Sequence, residues 1–139
     1  MFLHSWKQNL RRHGVSTLMG MTLTAVSGLA SAAGIVPFTQ NTYDTLMSEG
    51  KPVIVDVHAT WCPVCKQQGN IIAPLVKQPK YQQLTVLKLD FDAQKAELRQ
   101  FNVSTQSTLI AFNKGKEVTR TIGDTSPTGI TALFDKVAE

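Results

Sequence analysis

The chain has 139 residues, of which 14 are Lys or Arg and 10 are Asp or Glu, so its formal net charge is +4. No cluster of basic and aromatic residues accompanies this charge, which argues against a nucleic-acid-binding surface. The sequence contains 2 cysteines, both in one short motif, so no disulfide is left to cross-link distant parts of a small domain.

The first 32 residues have the composition of a secretory signal. They contain three basic residues and no acid, and a charge-free stretch runs from Gly14 to Ala33. Ala30-Ser31-Ala32 supplies the small residues that precede a cleavage site, so we place cleavage before Ala33. Its removal leaves a domain of residues 33–139 with 11 of the 14 basic residues against 10 acids. The sequence thus predicts an exported protein, with the bacterial periplasm as the expected compartment.

Two other interpretations of this segment stay open. Residues 14–33 could act as an uncleaved membrane anchor, although the stretch is only moderately apolar. A mitochondrial presequence is the other alternative, because four apolar residues beside the basic ones have the spacing of one helix face: Phe2, Leu3, Trp6 and Leu10. The pair Arg11-Arg12 also leaves open whether export follows the general secretory or the twin-arginine route.

The first predicted elements of the domain are a lead-in, a helix and a buried strand. Residues 33–38 are a short lead-in with room for an edge strand. Thr39 is a favourable N-cap, and apolar residues then recur at helical spacing until Gly50 ends the helix. Residues 52–57, Pro-Val-Ile-Val-Asp-Val, are a β-branched run typical of a strand that is buried on both faces.

Cys62 and Cys65 follow this strand and are separated by two residues. Such a pair can attach haem, bind a metal or form a redox disulfide. Lys66 stands where a haem motif needs histidine, and no second Cys-x-x-Cys or His-x-His cluster supplies ligands for structural zinc. A redox dithiol is therefore the best interpretation. Residues 66–76 are predicted to be helical, with Cys62 at the helix N-terminus and Pro63 in the first turn, where unpaired N–H groups stabilise a thiolate.

The remaining elements complete an α/β pattern. The helix after the cysteines is expected to kink at Pro74 and to end at Pro79. Beyond it we predict a strand at 84–90, a helix at 93–101 capped by Asp92, a hairpin of strands 108–112 and 117–122, and a helix starting at Ser126-Pro127. This order indicates a central mixed sheet with helices on both faces.

Residues 50–66 have the sequence Gly-Lys-Pro-Val-Ile-Val-Asp-Val-His-Ala-Thr-Trp-Cys-Pro-Val-Cys-Lys. This segment resembles the active-site segment of the thioredoxin-fold thiol-disulfide oxidoreductases, and the resemblance extends from about Phe38 to the C-terminus. It implies a thioredoxin fold with a sheet of four strands, or five if residues 33–38 contribute one. It also implies an enzyme that reduces or exchanges disulfides in exported proteins.

The resemblance assigns roles to four residues. Cys62, at the exposed end of the helix, attacks a substrate disulfide, and Cys65, shielded one turn further in, resolves the mixed disulfide. Asp56 accepts the proton of Cys65, because burial in an apolar strand raises the pKa of its carboxyl group. Lys88 on the neighbouring strand is the expected charge partner of Asp56. The Cys62–Cys65 disulfide is the implied redox group, and no separate cofactor is expected.

Five positions are implied to contact the substrate: Trp61, Pro63, Gln106, Ser107 and Gly123. Ser107 departs from the family, which has a cis-proline there. A cis bond before a non-proline residue costs about 2.5–4 kcal/mol, so the sequence leaves both isomers open here, and a trans bond would give the loop a different shape. The Ser107 hydroxyl is placed to hydrogen-bond a cysteine sulfur. His58, which replaces an aromatic residue, either favours the thiolate as a cation or simply ends the strand.

The expected partners are protein thiols and disulfides and a membrane or soluble electron-transfer protein, and the chain is expected to be a monomer. Pro63 resembles the glutaredoxins and periplasmic dithiol oxidases, whereas Asp56, Lys88 and the lack of an inserted helical domain resemble thioredoxins. We favour a reductase or isomerase on this balance. The alternative from another class is a copper-binding or metallochaperone module in which the cysteine pair, with or without His58, holds Cu(I).

Overall fold

The computed structural model describes residues 34–138, and the predicted signal segment at residues 1–32 lies outside this part. Within it, five strands form one sheet: β1 (Gly34–Pro37), β2 (Val53–His58), β3 (Thr85–Asp90), β4 (Thr108–Asn113) and β5 (Lys116–Ile122). Their order across the sheet is β1-β3-β2-β4-β5. Strands β1, β3 and β2 run parallel, whereas β4 is antiparallel to β2 and to β5. The predicted mixed sheet is confirmed, and the lead-in supplies its fifth strand.

The described residues also form four α-helices and a short 3-10 helix at Pro79–Tyr81. The α-helices are α1 (Gln40–Ser48), α2 (Pro63–Leu75), α3 (Lys95–Gln100) and α4 (Pro127–Asp135). Three of them begin after a residue whose side chain accepts a backbone N–H of the first turn: Thr39, Cys62 and Ser126. The caps predicted at Thr39 and Ser126 are confirmed. No helix in residues 34–138 has both the length and the hydropathy needed to cross a membrane.

Strand β2 is the centre of the sheet, and its residues from Val53 to Val57 are buried on both faces. Ile54 belongs to a core shared with residues of α2 and α4, whereas Val55 belongs to a core shared with α1 and α3. Because side chains alternate between the faces of a strand, Asp56 and His58 share the face of Ile54. The alternation therefore places both polar residues on the side of the sheet that α2 covers.

The start of α3 differs from the prediction. Asp92 does not cap the helix, because α3 begins at Lys95 rather than at residue 93. The Oδ1 atom of Asp90 instead accepts the backbone N–H groups of Asp92 at 2.8 Å and of Ala93 at 2.9 Å. An aspartate that bonds to the backbone two and three residues ahead favours a turn over a helix. The side chain of Asp92 is consequently left for another contact.

Helix α2 ends at Leu75, one residue before the end of the predicted helical segment 66–76. It therefore stops just after Pro74 and does not continue to Pro79, where the sequence suggested its end. Proline offers no N–H to the helical ladder and its ring crowds the preceding turn, so the helix stops soon after it. The backbone N–H of Gln78 then donates to the carbonyl oxygen of Leu75 at 3.0 Å in a turn. This change affects the far end of α2 and leaves the cysteine end as predicted.

Candidate active site

Cys62 and Cys65 form a disulfide at the N-terminus of α2, with their Cα atoms 5.3 Å apart. Cys62 is the N-cap, and its Sγ atom accepts the backbone N–H of Cys65 at 3.1 Å. Pro63 follows in the first turn, where the missing proline N–H costs no helical hydrogen bond. The predicted placement of the pair at a helix start is confirmed. In the reduced protein, the same N–H group and the helix dipole stabilise a thiolate on Cys62.

Both cysteines are buried, with exposed fractions of 4% for Cys62 and 2% for Cys65. The prediction of an exposed Cys62 is therefore wrong for the disulfide form. The reason is local packing, because Ala59 is buried with the two cysteines and Phe91 packs against them. What distinguishes the sulfurs is hydrogen bonding. The Cys62 Sγ accepts a helix N–H, whereas the Cys65 Sγ lies 3.9 Å from the carbonyl oxygen of Val57.

Asp56 is the buried acid behind the disulfide. Its side chain is 3% exposed, and its Oδ1 atom has no hydrogen-bond partner among the described residues. Burial raises the pKa of Asp56 from 3.8 to about 6, and the positive charge of Lys88 opposes that rise. The carboxylate can therefore take up a proton near neutral pH, which is the property required of a general base for Cys65.

Lys88 is the residue of β3 that stands in register with Asp56. No ion pair joins the two residues in the described part of the chain, so the lysine acts on the carboxylate over a longer distance. Both residues line a cavity of about 330 Å³ that Cys62 and Cys65 also border. The structure thus brings together the four residues to which the sequence assigned catalytic roles. A cavity of this volume has room for water.

His58 lines the same cavity, two residues along β2 from Asp56. Burial and the charge of Lys88 lower the pKa of His58 from 6.5, against the opposing effect of Asp90. The imidazole is therefore mostly neutral at pH 7. Of the two roles considered for His58, the structure disfavours the one that needs a cation. Its buried Nδ1 atom has no hydrogen-bond partner within residues 34–138.

Trp61 presents a large apolar surface beside the disulfide, with 58% of the residue exposed. Its Nε1 atom donates to the Oδ2 atom of Asp92 at 2.8 Å, which is the contact that Asp92 makes instead of capping α3. This hydrogen bond holds the indole ring at the surface. Pro63 is exposed on the other side of Cys62. Both residues predicted to contact a substrate are thus accessible, and the contact itself stays a prediction.

The loop at Ser107 has a trans peptide bond, as do all described residues. Ser107 has a φ of 59°, in the left-handed region. Its N–H donates to the carbonyl oxygen of Val57 at 2.8 Å, and its Oγ donates to the carbonyl oxygen of Gln106 at 2.5 Å. Of the two isomers that the sequence left open before Ser107, the structure has the trans one. The predicted hydrogen bond from the hydroxyl to a cysteine sulfur is wrong, because the adjacent carbonyl takes that hydrogen.

The Ser107 loop contacts the loop that follows β5. The backbone N–H of Gly123 donates to the carbonyl oxygen of Ser107 at 2.9 Å. The side chain of Thr105 donates from Oγ1 to the carbonyl oxygen of Gln106 at 3.3 Å. Three of the five residues predicted to contact a substrate, Gln106, Ser107 and Gly123, therefore lie side by side. The carbonyl oxygen of Val57 links them to Cys65, because it is near the Cys65 Sγ and accepts the Ser107 N–H.

Gln68 is a residue of this region that sequence reasoning missed. It is fully buried in α2, and its Nε2 atom donates to the carbonyl oxygens of Ser107 at 3.1 Å and of Asp124 at 3.0 Å. A signal was present in the sequence. Gln68 stands three residues after Cys65 and four before Ile72, on the face of α2 that is otherwise apolar.

The copper alternative in its larger form adds His58 to the two cysteines as a third ligand. Within residues 34–138, no group of three or more His, Cys, Asp or Glu side chains is arranged to hold a metal ion. His58 in particular does not complete such a group with Cys62 and Cys65. The described residues therefore give a three-ligand copper site no support.

The sheet order, the helices on both faces and the disulfide that caps the helix after the central strand define a thioredoxin-fold thiol-disulfide oxidoreductase. The thioredoxin family model matches residues 34–136. The chain belongs to the thioredoxin family.

Similarity to individual proteins agrees with this assignment. The chain is 39% identical over 84 residues to a thioredoxin of Chlamydia muridarum, a match that covers 60% of this chain and 80% of that protein. It is 34% identical over 101 residues to a bifunctional thioredoxin reductase/thioredoxin of Mycobacterium leprae, with 72% of this chain and 22% of that protein covered. The crystal structure of Trxlp from Edwardsiella tarda has 46% identity and a TM-score of 0.71, covering 73% of this chain and 98% of that one. These relatives support thiol-disulfide oxidoreductase activity.

Proposed function

We propose that this protein is an exported reductase or isomerase of disulfides in other exported proteins. The observation that carries the proposal is the Cys62–Cys65 disulfide at the start of α2, with Asp56 buried behind it on the same cavity. The helix N–H favours attack by Cys62, and the raised pKa of Asp56 suits it to accept a proton from Cys65. The geometry therefore supplies a nucleophile, a resolving thiol and a base.

The reaction transfers two electrons from the reduced protein to a substrate disulfide. The Cys62 thiolate attacks one substrate sulfur, a mixed disulfide forms, and the other substrate sulfur leaves as a thiolate. Cys65 loses its proton to Asp56 and attacks the Cys62 sulfur. The Cys62–Cys65 disulfide forms, and the second substrate sulfur leaves and is protonated. The substrate is thereby reduced to a dithiol, and the protein is oxidised. The same steps in reverse oxidise a substrate.

The proposed location is the bacterial periplasm, reached through residues 1–32. Its support is the basic start, the charge-free stretch and the small residues before Ala33. The test is to express the full chain, separate the cell compartments and determine the N-terminal residue of the protein. A periplasmic protein beginning at Ala33 is expected. A full-length protein retained in the membrane or the cytoplasm would contradict the proposal.

A reductase that turns over repeatedly needs an electron donor, and we propose a membrane or soluble electron-transfer protein for that role. The relative from Mycobacterium leprae joins a thioredoxin reductase to a thioredoxin, which supports a dedicated donor of this kind. Its identity does not affect the reaction at Cys62, because any donor that reduces the Cys62–Cys65 disulfide restores the dithiol.

Insulin reduction tests the activity. With dithiothreitol as electron source, the protein should accelerate insulin reduction, and Cys62→Ser should abolish the acceleration. Cys65→Ser should instead accumulate a mixed disulfide with the substrate, visible by non-reducing electrophoresis. Gln67→Ala is the matched control, because Gln67 is an exposed residue of α2 close to the pair. No acceleration by the parent protein would rule out the reductase.

A further inference from the structure

The side chain of Gln68 connects three parts of the site. Gln68 lies in α2, whose N-terminus carries the disulfide. Its Nε2 atom donates to the Ser107 carbonyl oxygen, in the loop before β4, and to the Asp124 carbonyl oxygen, in the loop after β5. The two N–H groups of the amide therefore donate hydrogen bonds to the backbones of two different loops. One side chain ties both loops to the helix of the reacting cysteines.

This arrangement keeps a polar group in a place where apolar packing is the rule. Gln68 is 0% exposed, and its Oε1 atom has no hydrogen-bond partner among the described residues. An unpaired buried acceptor lowers stability relative to an apolar side chain of similar size. A gain in packing therefore does not account for the amide. Only the two N–H groups of the Gln68 amide have hydrogen-bond partners, so any benefit of a polar residue at this position comes from these two bonds.

The loop before β4, which Gln68 contacts, contains Ser107 in an unfavourable backbone conformation. Ser107 is trans, with a left-handed φ of 59°. A single non-glycine residue in that region is held there by its surroundings. The Ser107 N–H is bound to Val57, and its carbonyl oxygen is bound by Gly123 and Gln68. Gln68 thus supplies one of three hydrogen bonds that fix the Ser107 backbone.

We propose that Gln68 is a positioning residue for polypeptide substrates, which holds the Ser107 and Gly123 loops at a set distance from the dithiol. The inference rests on the proposed reductase function and extends it to substrate docking. The two hydrogen bonds of the Gln68 side chain go to the loops and not to either sulfur atom of the disulfide, so Gln68 acts through the loops. A polypeptide that lies along both loops needs them fixed before it binds, because ordering them on binding reduces affinity. A small disulfide reaches Cys62 without this surface.

The test is Gln68→Met, which removes both N–H donors while it keeps a similar length and volume. The expected result is a rise of about tenfold in KM for insulin with little change in kcat. The turnover rate with oxidised glutathione should stay within about twofold of the parent value. The reduction potential of the cysteine pair should equal that of the parent within experimental error. Hydrogen exchange at the Gly123 N–H should become faster, because its acceptor loop is less restrained. Gln67→Met on the exposed face is the matched control.

A different pattern would overturn the inference. Equal losses with insulin and with oxidised glutathione, or an unchanged KM for insulin, would show that Gln68 is structural only. If Gln68→Met does not fold, Gln68→Leu replaces it, because leucine also fills apolar space and donates no hydrogen bond. A parent-like KM for that variant would also contradict the proposal. A parent protein that reduces neither substrate would instead refute the reductase function itself.

Discussion

The backbone N–H of Ser107 donates to the carbonyl oxygen of Val57 at 2.8 Å, and this bond anchors the loop beside the disulfide. The Cys65 Sγ lies 3.9 Å from the same oxygen, so the loop and the resolving cysteine meet at one atom of β2. Ser107 needs both this N–H and a positive φ, and proline can supply neither. The loop is therefore built differently from the cis-proline loop that the family resemblance implied.

Ser107→Pro is expected to destabilise the domain rather than restore the family's loop. Proline requires a φ near −65°, whereas Ser107 has 59°, and it removes the hydrogen bond to Val57. Loss of a buried hydrogen bond costs about 1–3 kcal/mol, and the change of backbone conformation adds to it. Urea unfolding at pH 7 measures the effect.

Ser107→Gly is the control for that experiment, because glycine adopts a positive φ without strain. The free energy of unfolding of Ser107→Gly should be within about 1 kcal/mol of the parent value. Relief of backbone strain offsets the loss of the hydrogen bond from the Ser107 Oγ to Gln106. A Ser107→Pro variant as stable as the parent would show that the loop adapts to proline. In that case Val57 and Ser107 are not the anchor described above.

Asp56→Asn should stabilise the protein at neutral pH. The pKa of Asp56 is raised from 3.8 to about 6 in the folded state, so between these values the folded protein binds more protons than the unfolded chain. The contribution of Asp56 to the free energy of unfolding is therefore highest below about pH 4. It falls as the pH rises to about 6 and is constant above that value. The ionised carboxylate costs about 3 kcal/mol at pH 7, which asparagine avoids in part. Urea unfolding between pH 4 and pH 8 tests the curve.

The same variant should release mixed disulfides more slowly, because asparagine cannot accept the proton of Cys65. Asp44→Asn is the control, since Asp44 is an exposed residue of α1 far along the chain from the cysteines. Single-turnover release of a trapped substrate at pH 7 gives the rate. An unchanged rate together with lower stability would make Asp56 a structural residue.

Much of this architecture was predictable from local patterns. The β-branched run of β2 and the polar caps at Thr39 and Ser126 depend on neighbours within a few residues, so the sequence alone indicates them. The Cys-x-x-Cys pair, together with the strand before it and the helix after it, likewise indicated a redox pair at a helix start. The register that places Lys88 beside Asp56 followed from the family resemblance and the alternation of the strands.

Contacts between distant segments account for what was not predictable. The burial of Cys62 depends on Phe91, which approaches from the end of β3. Asp92 was expected to cap α3, but Asp90 forms a competing turn and Trp61 takes the Asp92 side chain. Gln68 acts on backbone carbonyls 39 and 56 residues away, so its polarity was visible in the sequence but its partners were not.

Alkylation of the reduced protein should distinguish the two cysteines despite their similar burial. The exposed fractions of 4% and 2% predict no preference between Cys62 and Cys65. The hydrogen bond from the Cys65 N–H to the Cys62 Sγ does, because it favours a thiolate on Cys62, and the thiolate is the form that reacts with iodoacetamide. The Cys65 thiol is placed to donate to the Val57 carbonyl oxygen, which favours the protonated, unreactive form.

Brief treatment of the reduced protein with iodoacetamide at pH 7, followed by mass spectrometry of the peptides, should find the label on Cys62. The Cys65→Ser and Cys62→Ser variants provide matched controls with one thiol each. Faster labelling of Cys65 would reverse the roles of nucleophile and resolving thiol.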